Sequence, residues 1–137
     1  MRSIVVIPAR MGSSRFPGKP LKKILGIPMI EHCYRRACLS KAVEKVFVAT
    51  CDLLIKDHVE SIGGNVIMTS NKHKRASTRT EEAVSILKNN LNLNPNVVVM
   101  LQGDEPLIRP DSISDLINKL NSKNIQILNL IAPIKTK

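Results

Sequence analysis

Short runs of aliphatic residues recur at 4–7, 46–49, 65–68, 97–101 and 125–131, and the stretches between them follow a helical period instead. Short runs rich in Val and Ile, apolar on both sides, suit strands buried on both faces of a sheet. The segment 28–39 begins after Gly26 and spaces Met29, Ile30, Cys33 and Ala37 as a helix would. The segment 52–62 reads as a helix with Asp52 as its cap and Gly63-Gly64 as its stop. The segment 77–91 starts with Ser77, Thr78 and Thr80 and lines up Ala83, Val84, Leu87 and Leu91. The segment 111–120 follows Pro110 and lines up Ile113, Leu116, Ile117 and Leu120. Strand and helix alternating at this pitch predict βαβ units: an α/β fold of three layers, α/β/α, around a mostly parallel, Rossmann-like sheet. A chain of 137 residues with no internal repeat and no low-complexity linker fits one domain.

In such sheets ligands gather at the carboxyl ends of the strands. The run 4–7 ends there in a loop that holds Arg10, Arg15 and Lys19 together with Gly12 and Gly18. Backbone N–H groups and cationic side chains converging in one short connection suit a polyphosphate. The spacing is not that of a Walker A loop, so the loop predicts a nucleoside triphosphate site of another kind. The run 97–101 ends in a second polar loop, Gln102-Gly103-Asp104-Glu105-Pro106.

Asp104 is placed to face the phosphate loop. Magnesium takes carboxylate oxygens together with substrate phosphates, which makes Asp104 a candidate ligand for a Mg²⁺ cofactor; a turn cap before Pro106 is the other reading. Gln102 carries both a donor and an acceptor, as the edge of a base requires, and would equally serve as a turn residue bonded to its own backbone. The stretch His73-Lys74-Arg75-Ala76-Ser77-Thr78-Arg79 leads into a helix. Arg79 could reach a base or a phosphate there, or the stretch could be a solvated basic loop. His32 and His58 fall within helical patterns and receive no role.

The net charge is +10, which raises nucleic-acid binding as a function. Against that, Phe16, Tyr34 and Phe47 are the only aromatic residues, too few for base stacking, and no nucleic-acid module is present. Small polyanions, or simply a lysine-rich solvated surface, account for the charge better. No apolar run approaches the roughly 20 residues needed to span a bilayer. Cys33, Cys38 and Cys51 lack paired metal spacing; with no leader pattern in front, they are expected to be reduced thiols of a cytoplasmic protein.

The run Pro8-Ala9-Arg10, Ser13, Arg15, Pro17-Gly18-Lys19-Pro20-Leu21 resembles the signature of the 3-deoxy-manno-octulosonate (KDO) cytidylyltransferases, or CMP-KDO synthetases. Gly26-x-Pro28-Met29-Ile30, Val48-Ala49-Thr50 and Gln102-Gly103-Asp104-Glu105-Pro106 fit the same pattern, and the resemblance covers essentially the whole chain. It implies the nucleotide-diphospho-sugar transferase type of sheet. It also implies the reaction: CTP and KDO, with Mg²⁺, give CMP-KDO and pyrophosphate for lipopolysaccharide synthesis in Gram-negative bacteria. The resemblance assigns Arg10, Arg15 and Lys19 to the CTP phosphates. It assigns the backbone of Ala9, with Gln102 and Arg79, to the cytosine, and Asp104 to Mg²⁺. Arg10, Lys19 and Asp104 would be the catalytic set. The sugar hydroxyl would be the nucleophile, with no covalent enzyme intermediate.

Two segments depart from the pattern. The family has His-x-Ser-Gly-Thr-x-Arg where this chain has Arg75, Ala76 and Ser77 between His73 and Arg79, and it has Asp after Val-Ala-Thr where this chain has Cys51. Family members are also considerably longer. Residues 1–137 therefore read as the nucleotide-binding part of a truncated domain, without the C-terminal part that supplies the sugar pocket, the dimer interface and a second metal-binding aspartate. The expected partners are CTP, a sugar acid, and either a second copy or a complementing C-terminal half. A non-catalytic or split CTP-binding module, or a cytidylyltransferase for 8-amino-KDO or a sialic acid, are the alternatives.

Overall fold

The structure, a computed structural model, describes residues 2–13 and 15–134; the remaining ends of the expected 1–137 unit, and residue 14, lie outside the described residues. β1 spans Ser3–Pro8 and is followed, after the basic loop, by a single 3-10 turn at Lys19–Leu21. A small hairpin, β2 (Lys23–Ile24) and β3 (Ile27–Pro28), leads into α1 (Met29–Cys38). Then come β4 (Lys45–Thr50), α2 (Leu53–Ser61), β5 (Asn65–Met68), α3 (Ala76–Leu91), β6 (Val97–Met100) and α4 (Pro110–Ser122).

The main sheet has the order β5-β4-β1-β6, with every neighbouring pair parallel. Alternation along the strands divides the core. Val5, Ile7, Val46, Val48 and Val97 face α1, α2 and α4, whose Ile30, Cys33, Ala37, Ile55, Val59, Ile113 and Ile117 fill that side. Ile4, Val6, Phe47, Ala49 and Ile67 face Ala83 and Leu87 of α3. The three-layer α/β/α architecture is thus the one the apolar pattern predicts. With few aromatic residues in the chain, both core layers are built mainly from Ile, Leu, Val and Ala, with Tyr34 in one and Phe47 in the other.

Two expectations are corrected. The run 125–131 is not a strand; it is irregular in conformation. Its residues line a cleft of about 750 Å³ whose opposite wall is β6 and the apolar face of α4. A strand needs a neighbour to bond, and across that gap β6 cannot supply one. Asp52 stands at the cap position of α2, yet its carboxylate makes no hydrogen bond to the helix. It accepts instead the N–H of Met11, at 2.8 Å, across 41 positions of sequence. The stop of α2 is as expected: the N–H groups of Gly63 and Gly64 return to the carbonyls of Glu60 and Val59.

Candidate nucleotide site at the switch in strand order

From β1 the chain moves outward through β4 to β5, then returns to place β6 on the other side of β1. The reversal opens a crevice at the carboxyl ends of β1 and β6, the usual ligand position in a sheet of this kind. The two loops that border it are the basic loop after β1 and the Gln102–Pro106 loop after β6. Between them lies a small cleft of about 140 Å³, lined by Pro8, Ala9, Arg10, Ser13, Lys19, Pro20, Met29, Gln102, Gly103 and Asp104.

Backbone geometry accounts for the shape of the basic loop. Met11 is its waist: the Met11 carbonyl accepts the N–H of Gly18 at 2.8 Å, which brings these two points of the loop together. Gly18 has φ +72°, a left-handed conformation that a side chain would strain. That turn starts the 3-10 segment and carries Lys19 back toward the sheet. Lys19 Nζ then lies 3.1 Å from Asp104 Oδ2. Both side chains are about half exposed, so the pair adds little to stability and can be opened by an incoming ligand.

The second loop is held close to the first by packing. A Cβ on Gly103 would come within 3.3 Å of the Pro8 carbonyl and 3.6 Å of Ile30 Cδ1, tighter than ordinary contact on its backbone side. The Cys33 thiol, buried in α1, donates to the Gly103 carbonyl at 3.4 Å. Burial, opposed in part by a backbone hydrogen bond at Glu105, pushes that thiol up to about 11.

The cleft therefore brings together Ala9, Arg10, Lys19, Gln102 and Asp104, all expected in the site. Ala9 already gives its N–H to the Ala49 carbonyl, at 2.9 Å. Arg15 is exposed and stands outside the cleft lining. Arg79 is buried rather than presented to a ligand: its Nη1 donates to Thr69 Oγ1 at 2.6 Å and to the Ser70 carbonyl at 3.1 Å. It fastens the loop between β5 and α3. The same loop is braced by His73, which bonds Glu82 and Thr78, while Glu82 accepts the N–H of Ser70. The hydrogen bond from His73 is the main cause that holds the Glu82 carboxyl below its ordinary value. Ser13 and Gly103 also line the cleft and Cys33 supports it from α1; none of the three is predicted as a site residue from sequence. Ser13 sits within the signature run and was there to be read; the support from Cys33 depends on a contact across 70 residues.

Among the described residues no three His, Cys, Asp or Glu side chains cluster as a metal centre, and no helix is long and apolar enough to cross a membrane. Asp104 offers a hard, exposed carboxylate beside a cationic cleft. That fits a magnesium ion that takes most of its ligands from phosphates and water, and does not fit an all-protein cage.

A parallel α/β sheet with a cationic loop and a carboxylate at its strand-order switch is the arrangement of a nucleotide-binding α/β fold. A family model described as cytidylyltransferase matches residues 4–137, and the chain belongs to that family. It is 47% identical over 137 residues, 98% of its length, to a 3-deoxy-manno-octulosonate cytidylyltransferase of Thermodesulfovibrio yellowstonii, of which it covers 54%. It is 49% identical over 118 residues, 86% of its length, to an 8-amino-3,8-dideoxy-manno-octulosonate cytidylyltransferase of Shewanella frigidimarina, of which it covers 47%. Its fold overlays a solved CMP:2-keto-3-deoxy-manno-octonic acid synthetase complexed with CTP with a TM-score of 0.81 and 40% identity. That overlay covers 90% of this chain and 49% of the other. The chain thus spans about half the length of the curated relatives it matches.

Proposed function

We propose that residues 1–137 form the CTP-binding part of a cytidylyltransferase that activates KDO, acting in the cytoplasm on the way to lipopolysaccharide. The observation that carries this reading is the convergence of Arg10, Lys19, Gln102 and Asp104 in one cleft at the carboxyl ends of β1 and β6. Arg10 and Lys19 would hold the triphosphate, with Arg15 at the outer edge of the loop. Gln102 would read the cytosine edge. With its N–H committed to Ala49, Ala9 would contribute its carbonyl to that recognition. Arg79 would act on the base only indirectly, through the loop it fastens.

In the reaction the sugar hydroxyl oxygen bonds to the α-phosphorus and gives up its proton to solvent. The bond from the α-phosphorus to the bridging oxygen breaks, and pyrophosphate leaves with the electron pair. Arg10 and Lys19 stabilise charge on the departing phosphates as cationic hydrogen-bond donors brought to the same cleft. Lys19 shifts from Asp104 to the triphosphate as the nucleotide enters, which frees the Asp104 carboxylate. Magnesium held by Asp104 and the phosphates would supply further charge neutralisation at the α-phosphorus.

Pyrophosphate release from CTP with KDO and Mg²⁺ tests the proposal. Turnover that disappears in Arg10→Ala supports it. A second reading, a CTP-binding module that works only with a complementing half, is favoured by Asp104 being the one carboxylate among the described residues that line the cleft. CTP binding without turnover, lost in Arg10→Ala, would select that reading. Absence of CTP binding would remove both. Replacing KDO by 8-amino-KDO or a sialic acid in the same assay decides the sugar.

A further inference from the structure

Asp52 is well suited to cap α2, and a carboxylate at that position commonly stabilises a helix. Its side chain makes no cap bond; Oδ2 reaches out of α2 to the Met11 N–H at 2.8 Å. The aim of the carboxylate is set from behind, because the Asp52 N–H donates to Thr50 Oγ1 at 3.1 Å and Thr50 is fully buried. The Cys51 thiol lies 3.7 Å from the same oxygen. Met11 in turn accepts the N–H of Gly18, whose left-handed turn starts the segment that carries Lys19 to Asp104. One continuous set of contacts therefore runs from the buried end of β4, through Asp52, Met11 and Gly18, to the Lys19–Asp104 pair of the cleft.

We propose that Asp52 is the positioning residue of the nucleotide-binding loop: its carboxylate pins Met11 so that the loop is pre-shaped for a triphosphate. A carboxylate next to a site for phosphates is otherwise unfavourable, since like charges repel. Its presence is explained by the hydrogen bond and not by its charge. The inference rests on the CTP reading for its ligand, but the contact itself can be tested without one. A loop held in its binding shape avoids an ordering cost when the ligand arrives.

The test uses Asp52→Ala and Asp52→Asn. Asn keeps an acceptor oxygen and removes the charge. Amide hydrogen exchange at Met11 is read by NMR in the free chain, and binding of CTP and of CMP by calorimetry. In Asp52→Ala the Met11 amide loses its protection and CTP affinity falls roughly 10-fold, the scale of one lost hydrogen bond, while CMP affinity changes less than about twofold. Asp52→Asn restores most of the protection and brings CTP affinity within about threefold of the original. Equal losses for CTP and CMP would mean that Asp52 only supports the fold, and would overturn the proposal. So would an Asn variant as weak as the Ala variant, or a Met11 amide that exchanges freely in the unaltered chain. A protected Met11 amide in a chain that binds no CTP would sink the CTP reading and with it the triphosphate role, while leaving the Asp52–Met11 contact standing.

Discussion

β1 and β6 are neighbours in one sheet, in register and both rich in valine, yet they live in different surroundings. Along β1, Ile4, Val5, Val6 and Ile7 are wholly buried, with helices on both faces and a bonded strand on each side. In β6, Val98 pairs with Ile4 and Met100 with Val6, so they continue the same face, but α3 stops short and both stand about 40% exposed. Beyond β6 the irregular segment adds Ile127, Leu130, Ile131 and Ile134 to an exposed apolar surface. The contrast separates two kinds of order. The flank carrying the basic loop is held by its own core. Among the described residues, the flank beyond β6 has exposed apolar surface and a strand edge with no bonded neighbour, the features expected of an interaction surface or a weak margin.

The comparison is most directly broken by a pair of substitutions. Ile55→Ala in the fully buried core of α2 is expected to cost about 2–5 kcal/mol in urea unfolding. Met100→Thr, on the bare face of β6, is expected to stay within about 1 kcal/mol. Similar losses at the two sites would mean the flanks are equally well packed. Next in size is Lys19→Ala. CTP affinity should fall roughly 10- to 100-fold, as for loss of a charge-assisted contact, with the melting temperature almost unchanged because the Lys19–Asp104 pair is exposed.

A smaller effect sharpens the account of the closed flank. Glu31 of α1 is buried between Arg35, 2.7 Å away on its own helix, and His58, 2.8 Å away on α2. Burial by itself would raise its carboxyl, but the hydrogen bonds and charges of Arg35 and His58 outweigh that, and it lies below the ordinary 4.5. A depressed value stabilises the fold above the ordinary value, and that contribution fades as pH falls through the depressed one. Relative to Glu31→Gln, the unaltered chain should therefore lose stability on acidification below about pH 4.5. A stability difference between the two that stays constant down to about pH 3 would contradict this linkage.

Much of this was legible from sequence because it depends on local signals. The valine and isoleucine runs, the helical stripes on α1, α3 and α4, and the signature residues of the two loops are readable one after another. What escaped depends on distant contacts. Asp52 looks like a cap because the competing donor, Met11, lies 41 residues away. Arg79 reads as a ligand-binding cation, yet Thr69 and Ser70 use its guanidinium inside the protein. The β2–β3 hairpin turns on Leu25, whose φ of +51° is unusual for leucine and leaves no mark in the sequence pattern. The run 125–131 has the composition of a strand, but composition cannot provide a bonding neighbour.

Cys33 turns the seat of the second loop into something that can be timed. Its thiol is covered by the Gly103 carbonyl and so weakly acidic that little thiolate forms at neutral pH. Cys38 is exposed and Cys51 partly so. A thiol reagent should thus modify this chain in two phases, with Cys33 reacting only when the Gln102–Pro106 loop lifts away. The slow phase is a clock on that lifting, and a nucleotide that settles into the cleft should make it run slower.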